Sequence, residues 1–215
     1  RNTGNSGLVV KYTRGANTDY IALSYSSNVN SVVSGFVIEN NSSIMNSRVG
    51  GESVMHVVDI EGVNYLQSQS LGVFYLEGQG EVSGFVNQNA GYISASFVKN
   101  AQIDNIMEYD GSITAGFVVR NSLSIQSSYV EGLEGEPEED SFGNVVHSVY
   151  KNGTNISALG VISGFVYENS SLVKNSYSNI AIENSRTKGA MVAGFVYRNN
   201  QNATISLCYA ACEIA

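Results

Sequence analysis

The sequence predicts an all-β chain: a right-handed parallel β-helix, or a close β-solenoid variant, of about six repeat units with two longer inserts. Three observations carry that prediction. A Gly-Phe-Val motif recurs along the chain, the segments around it are short, β-branched and aromatic, and no stretch has the apolar period of an amphipathic helix of three turns.

The motif occurs as Ser6-Gly7-Leu8-Val9, Ser34-Gly35-Phe36-Val37, Ser83-Gly84-Phe85-Val86, Ala115-Gly116-Phe117-Val118, Ser163-Gly164-Phe165-Val166 and Ala193-Gly194-Phe195-Val196. Its glycines lie 28, 49, 32, 48 and 30 residues apart, so three intervals are one unit long and two carry about 18 extra residues. One solenoid spans residues 1–215, with inserts at about 50–80 and 131–160. A unit near 30 residues cannot bury its own apolar face, and stacking successive units solves that by forming ladders of equivalent residues.

Each element of the unit has a physical reason. The recurrent glycine allows a bend or a close approach of backbone. Five residues later stands Asn40, Asn89, Asn121, Asn169 or Asn199, with Tyr12 in the first copy. Asn suits a turn, because it tolerates left-handed backbone angles and hydrogen-bonds locally. A second strand follows: Ile21 to Tyr25, Ile44 to Arg48, Ile93 to Phe97, Ile125 to Tyr129, Val173 to Tyr177 and Ile205 to Tyr209. Within it a small residue recurs, as Ser24, Ser47, Ser96, Ser128, Ser176 and Cys208. One feature strains a simple solenoid. Val33, Gly35 and Val37 alternate with Phe36 and Ile38, so both faces of a continuous strand are apolar. The row of Phe36, Phe85, Phe117, Phe165 and Phe195 is therefore expected to point outward and to need a cover, from the inserts or from another chain.

The string Ser-Gly-Phe-Val-x-x-Asn, then Ile-x-x-Ser-Tyr, resembles the GLUG repeat of large bacterial surface proteins, adhesin-like proteins among them. That repeat has the form Gly-Leu-Val-Gly-x-Asn followed by Ile-x-Asn-Ser-Tyr. Val173-Lys174-Asn175-Ser176-Tyr177 is nearest to its second half and Gly7-Leu8-Val9 to its first. The resemblance covers all six copies, with Phe usually in place of the Leu and no glycine after the Val. It implies a secreted or surface-displayed repeat region and no catalytic residue.

Composition points the same way. Charged residues are 14% of the chain, and Asn, Ser and Gly fill their place, as expected of an extracellular β-rich protein. A net charge of −8 argues against nucleic acid and against docking on anionic lipid, and no apolar run is long enough for a transmembrane helix. Arg1 opens the chain without Met or a leader, which predicts a processed product or an excised piece.

Candidate chemistry is sparse. Carboxylates on neighbouring coils would suit a polysaccharide hydrolase or lyase. Asp19, Asp59, Asp104 and Asp110 fall at unmatched offsets, and Glu39 and Glu168 are separated in their row by Gln88 and Arg120, so the row reads as a solvated face. The acidic run Glu131, Glu134, Glu136, Glu138, Glu139 and Asp140 offers oxygen ligands for calcium. It lacks the Asp/Asn-with-Gly spacing of calcium loops and reads as a mobile, solvated loop within 131–140. His56 and His147 sit in the inserts without matched ligands and read as strand residues. Neither metal nor other cofactor is expected.

Cys208 replaces a ladder serine, and four residues in extended chain hold it about 13 Å from Cys212, so a disulfide would need a turn or an end-cap. N-glycosylation sequons stand at Asn40, Asn41, Asn152, Asn155, Asn169 and Asn202, of which Asn152 and Asn155 are expected to be the most accessible.

The leading expectation is a non-catalytic structural segment of an extracellular or cell-surface stalk, fibre or adhesin. It would assemble with further copies or regions of the same protein through its ends or an apolar face. Tyr25, Tyr129, Tyr177 and Tyr209 share one ladder and make glycan binding the alternative, unless they pack in the core or at a turn. A β-helix polysaccharide enzyme is the third reading.

Overall fold

The computed structural model describes residues 9–14, 17–22, 31–50, 53–60, 63–70, 73–106, 111–132, 138–139, 145–146, 154–184 and 191–215. Among them, five coils of five short strands stack into a parallel β-solenoid. The first coil holds Ser31–Ser34, Val37–Asn40, Ser43–Met45, Arg48–Val49 and Val73–Gly78, and the second holds Gly80–Ser83, Val86–Asn89, Tyr92–Ser94, Phe97–Lys99 and Ala101–Asn105. The third, fourth and fifth repeat that order up to Glu213–Ile214. Equivalent strands pair in parallel from coil to coil and so build five sheets, here I to V in chain order. The register matches like with like: Asn40, Asn89, Asn121, Asn169 and Asn199 are successive partners, as are Ile44, Ile93, Ile125, Val173 and Ile205.

Three of the corners between strands recur from coil to coil. At the first, the strand stops and the backbone bends at Gly-Phe. A Cβ on Gly35, Gly84, Gly116 or Gly164 would lie 2.1, 2.0, 2.1 or 2.2 Å from the carbonyl oxygen of the glycine in the next coil. Only glycine permits that approach. The N–H groups of Phe85 and Val86 then both donate to the Phe117 carbonyl, each at 3.0 Å, and the same fork recurs at the neighbouring coils.

This bend corrects the expectation that the Phe row faces outward. The strand is not continuous through the motif, so its alternation restarts and Val82, Phe85 and Val86 are all fully buried. Phe85, Phe117 and Phe165 sit in the core, stacked at 4.7 and 4.8 Å with planes within 3°. Phe117 and Phe165 are thus no surface for another chain, and the row needs no cover.

The second corner carries the asparagines. Asn40, Asn89, Asn121 and Asn169 are buried, and each Nδ2 donates to the Oδ1 of the next coil's asparagine at 2.7 to 2.8 Å, up to the exposed Asn199. Their Oδ1 atoms also accept the N–H two residues on, at Ser42, Gly91 and Ser171. Local bonding is as expected. The left-handed backbone is not theirs: it belongs to the third corner, at Asn46, Ala95, Ser127, Asn175 and Leu207, with φ between 47° and 54°. The ladder serine follows at once. Ser96 Oγ donates to the Ser94 carbonyl at 2.9 Å and accepts the Ser47 N–H at 3.2 Å, and Ser128 and Ser176 repeat the pattern.

The first sequence copy does not wind a coil. Val9–Arg14 and Asn17–Ala22 form an antiparallel hairpin, and Val9–Lys11 pair antiparallel with Val73–Tyr75 at the edge of sheet V. Arg14 and Asn17 are partners at the end of this pair, and in the sequence Tyr12 stands where a coil needs its ladder asparagine. Five coils replace the six units expected; Gly7 and Leu8 lie outside the described residues. Both inserts leave the coil at the same place, between sheets IV and V. The first contains the antiparallel pair Ser53–Ile60 and Val63–Ser70, and the second the short pair Glu138–Glu139 and Val145–Val146. Val73–Gly78 and Asn155–Ala158 already belong to sheet V, so each insert ends sooner than the spacing suggested.

Gly116→Ala is expected to destabilise the chain by about 2–4 kcal/mol, because the methyl meets backbone that cannot yield. Phe117→Ala should cost about 3–5 kcal/mol. Urea unfolding of both variants checks the pair.

Candidate functional site

With the interior closed by like-on-like packing, any site must lie on an outer face. Sheet IV carries the most distinct one. Its outward row runs Arg48, Phe97, Tyr129, Tyr177 and Tyr209 in register. The four rings stack at 4.9, 4.9 and 5.0 Å with planes within 4°. Tyr129, Tyr177 and Tyr209 are therefore on one ladder, as the spacing predicts, and it lies on the outside rather than in the core or at a turn. Tyr25 lies outside the described residues. Beside the rings, Lys99 Nζ pairs with Glu131 Oε2 at 2.9 Å, and Tyr177 Oη donates to Glu131 Oε1 at 3.3 Å. Partial burial, then the Glu131 charge, push the Tyr177 hydroxyl well above the usual tyrosine range; Tyr129 moves the same way for the same reasons. The rings stay neutral, and their faces are turned to one another, so what the row offers solvent is edges and hydroxyls.

A second cluster sits outside the Gly-Phe corner. Arg120 forks onto both oxygens of Glu81, with Nη1 to Oε2 at 2.6 Å, and Asn87 Nδ2 donates to the same Oε2 at 3.1 Å. The row Glu39, Gln88, Arg120, Glu168, Arg198 is in register as read from the sequence. Arg120, however, is drawn back onto sheet I instead of being left in solvent. Its guanidinium holds the Glu81 carboxyl below the ordinary carboxylate range, with Asn87 adding to the effect and burial opposing it.

Sheet V presents a shallow groove of about 510 Å³, with Gln102, Asp104, Asn155, Ser157, Glu183 and Glu213 among its lining. On the same sheet, at the side of Asp104 away from most of that lining, the structure finds what the motif offsets hid: Glu77 and Asp104 are direct partners on adjacent strands. Neighbouring strands stand about 4.8 Å apart, close to the carboxylate separation of retaining glycosidases. The offsets missed the pair because the connection from sheet V back to sheet I varies in length. It is one residue after Gly78, seven after Asn105 and two after Ala158. Gln102 Nε2 donates to Asp104 Oδ2 at 3.0 Å. Among the described residues no group of three or more His, Cys, Asp or Glu is placed to hold a metal ion.

The remaining candidates are dispersed. Asn40 and Asn169 are buried in the amide ladder, Asn41 and Asn202 are exposed, and Asn155 is only half-exposed within its strand, less open than expected. Asn152 and His147 lie outside the described residues, as do positions 133–137 and 140 of the acidic run. Glu131 is not part of a solvated loop, being paired within sheet IV. His56 stands in a strand opposite Gln67. Cys208 and Cys212 are free thiols; Cys208 Sγ sits 3.2 Å from the Ser206 carbonyl, as the ladder serines do, and Cys212 Sγ lies 3.1 Å from the Gly194 carbonyl. No helix among the described residues is long and apolar enough to cross a membrane.

No family model, curated protein or solved structure matches the chain.

Glu81→Gln is expected to cost about 1 kcal/mol at neutral pH, since the fork to Arg120 is only partly screened by solvent. The carboxyl titrates lower in the folded chain than in the unfolded one. Its contribution is therefore present above the unfolded value and lost as pH falls through the folded one. Wild-type and variant melting curves should converge in acid, and thermal melts across pH 2 to 7 measure it.

Proposed function

We propose that this chain is a non-catalytic structural segment of an extracellular or cell-surface stalk, fibre or adhesin. The observation that supports it best is the repetition itself. Phe stacks on Phe and Asn bonds to Asn from coil to coil, at the same heights in each. Such a body is stiffened along its axis by ladders and can be lengthened by adding coils without redesign. The low charge and the abundance of Asn, Ser and Gly suit display outside the cell, as does the resemblance to GLUG repeats.

Glycan binding through the outer row of Tyr129, Tyr177 and Tyr209 is the second reading, supported by its exposure along sheet IV. It is the weaker one, because sugar rings pack on aromatic faces and those faces are taken by neighbouring rings, the outermost one of Tyr209 excepted. A polysaccharide enzyme built on Glu77 and Asp104 is weaker still, for Asp104 is engaged by Gln102.

An antibody against the chain should label intact cells of its source. The purified chain should release no product from neutral or acidic polysaccharides and be retained by none on a glycan array. Product release lost in Asp104→Asn would establish the enzyme instead, and array binding lost in Tyr209→Ala the glycan module.

A further inference from the structure

Any coil ahead of the first must be wound by the residues just before Ser31, and the sequence there fits one. Counted from Gly7 without a gap, Leu8 and Val9 take the places of Phe36 and Val37, and Thr13 takes that of Asn41. Tyr20 falls in the outward row of Arg48, Phe97, Tyr129 and Tyr177, and Ile21 in the row of the buried Val49, Val98 and Val130. Gly7 stands 28 residues before Gly35, close to the 32 and 30 of the two coils without inserts. Such a coil has edges to join. Ser31–Ser34, Val37–Asn40, Ser43–Met45 and Arg48–Val49 each end their sheet among the described residues, and Phe36 is 43% exposed where Leu8 would cover it.

The same residues are in use elsewhere. Val9–Arg14 and Asn17–Ala22 form the hairpin, and Val9–Lys11 hold the edge of sheet V at Val73–Tyr75. One backbone cannot pair both ways, so hairpin and coil exclude one another. The polar ladders explain why the hairpin is the arrangement observed. Tyr12 stands at the asparagine position, so Asn40 Oδ1 would receive no amide from it, and Asp19 stands at the position of Ser47, Ser96, Ser128 and Ser176. These two polar misfits of the coil, Tyr12 and Asp19, are direct partners across the hairpin.

We propose that residues 7–30 are a two-state segment, a hairpin in the major state and a sixth coil in the minor one, with Tyr12 and Asp19 setting the balance. Winding the coil strips Val9–Lys11 from sheet V and covers four strand edges of the first coil at once; unwinding it opens them again. Open edges are where further β-structure adds, so the segment is a built-in cap for this end of the stack.

Disulfide trapping in the full chain tests this, in a background of Cys208→Ser and Cys212→Ser. Thr13→Cys with Asn41→Cys reports the coil, because equivalent residues of neighbouring coils lie about 4.8 Å apart, within bridging range. In the hairpin Thr13 instead faces Thr18, on sheet V, which the strand order sets across the core from the corner of Asn41. Thr13→Cys with Thr18→Cys therefore reports the hairpin. The hairpin bridge should form readily and the coil bridge slowly. Adding Tyr12→Asn and Asp19→Ser should speed the coil bridge at least about tenfold, through the ladder hydrogen bonds they restore, and slow the hairpin bridge. Gly7 precedes the hairpin strands, and Gly7→Val should stop the coil bridge alone: at the equivalent Gly35 a Cβ would lie 2.1 Å from the Gly84 carbonyl oxygen. A coil bridge that never forms, that the two repairs do not speed, or that survives Gly7→Val overturns the proposal. Melting curves show that each variant keeps its stacked coils, and the hairpin bridge in the Gly7→Val chain shows that its cysteines still react.

Discussion

The approach of one glycine carbonyl to the next glycine's α-carbon, about 2 Å from where a side chain would begin, is the constraint from which the rest of this solenoid follows. It lets the backbone bend just before the phenylalanine. The bend turns a strand that would have been apolar on both faces into two strands that share one interior. Phe85, Phe117 and Phe165 then stack at the coil spacing, which the hydrogen-bonded strands set and at which the asparagine and serine ladders also repeat.

Those polar ladders explain how so Asn- and Ser-rich a chain keeps a dry core. A buried amide without partners is costly, but here each asparagine both donates and accepts along the axis, so only the terminal coils leave a member short. The serines do the same for the backbone at the left-handed corner. Composition that looks like surface is in this fold partly interior: Asn89, Asn121, Ser96 and Ser128 are all buried.

Much of this was legible in the sequence, and what was not has definite physical causes. The Gly, Asn and Ser rows were readable because solenoid neighbours share an offset from the motif glycine. The inward Phe row was not, since period-two reasoning assumes an unbroken strand, and the bend at Gly84-Phe85 breaks it. The first copy misled because Gly-Leu-Val carries the motif's apolar character without Asn at its fifth position, and a hairpin satisfied the same residues more locally. Sheet V was invisible as a repeat: its strands follow inserts in two coils and return through connections of different length, so Glu77 and Asp104 meet despite unlike offsets. The aromatic row of sheet IV was found, but whether it faced in or out depended on a corner that only the coordinates place.

The row just beyond the asparagine ladder gives the most direct test of the stacked-coil account. Asn41, Ala90, Ser122 and Ser170 are all exposed at one offset, in coils one to four. Spin labels on Asn41→Cys paired in turn with cysteines at the other three positions, in a background of Cys208→Ser and Cys212→Ser, report the distances by electron paramagnetic resonance. The account predicts separations that grow by about 4.8 Å per coil, indifferent to whether the intervening chain includes an insert. Distances that track sequence separation instead, or that do not rise steadily, would contradict it.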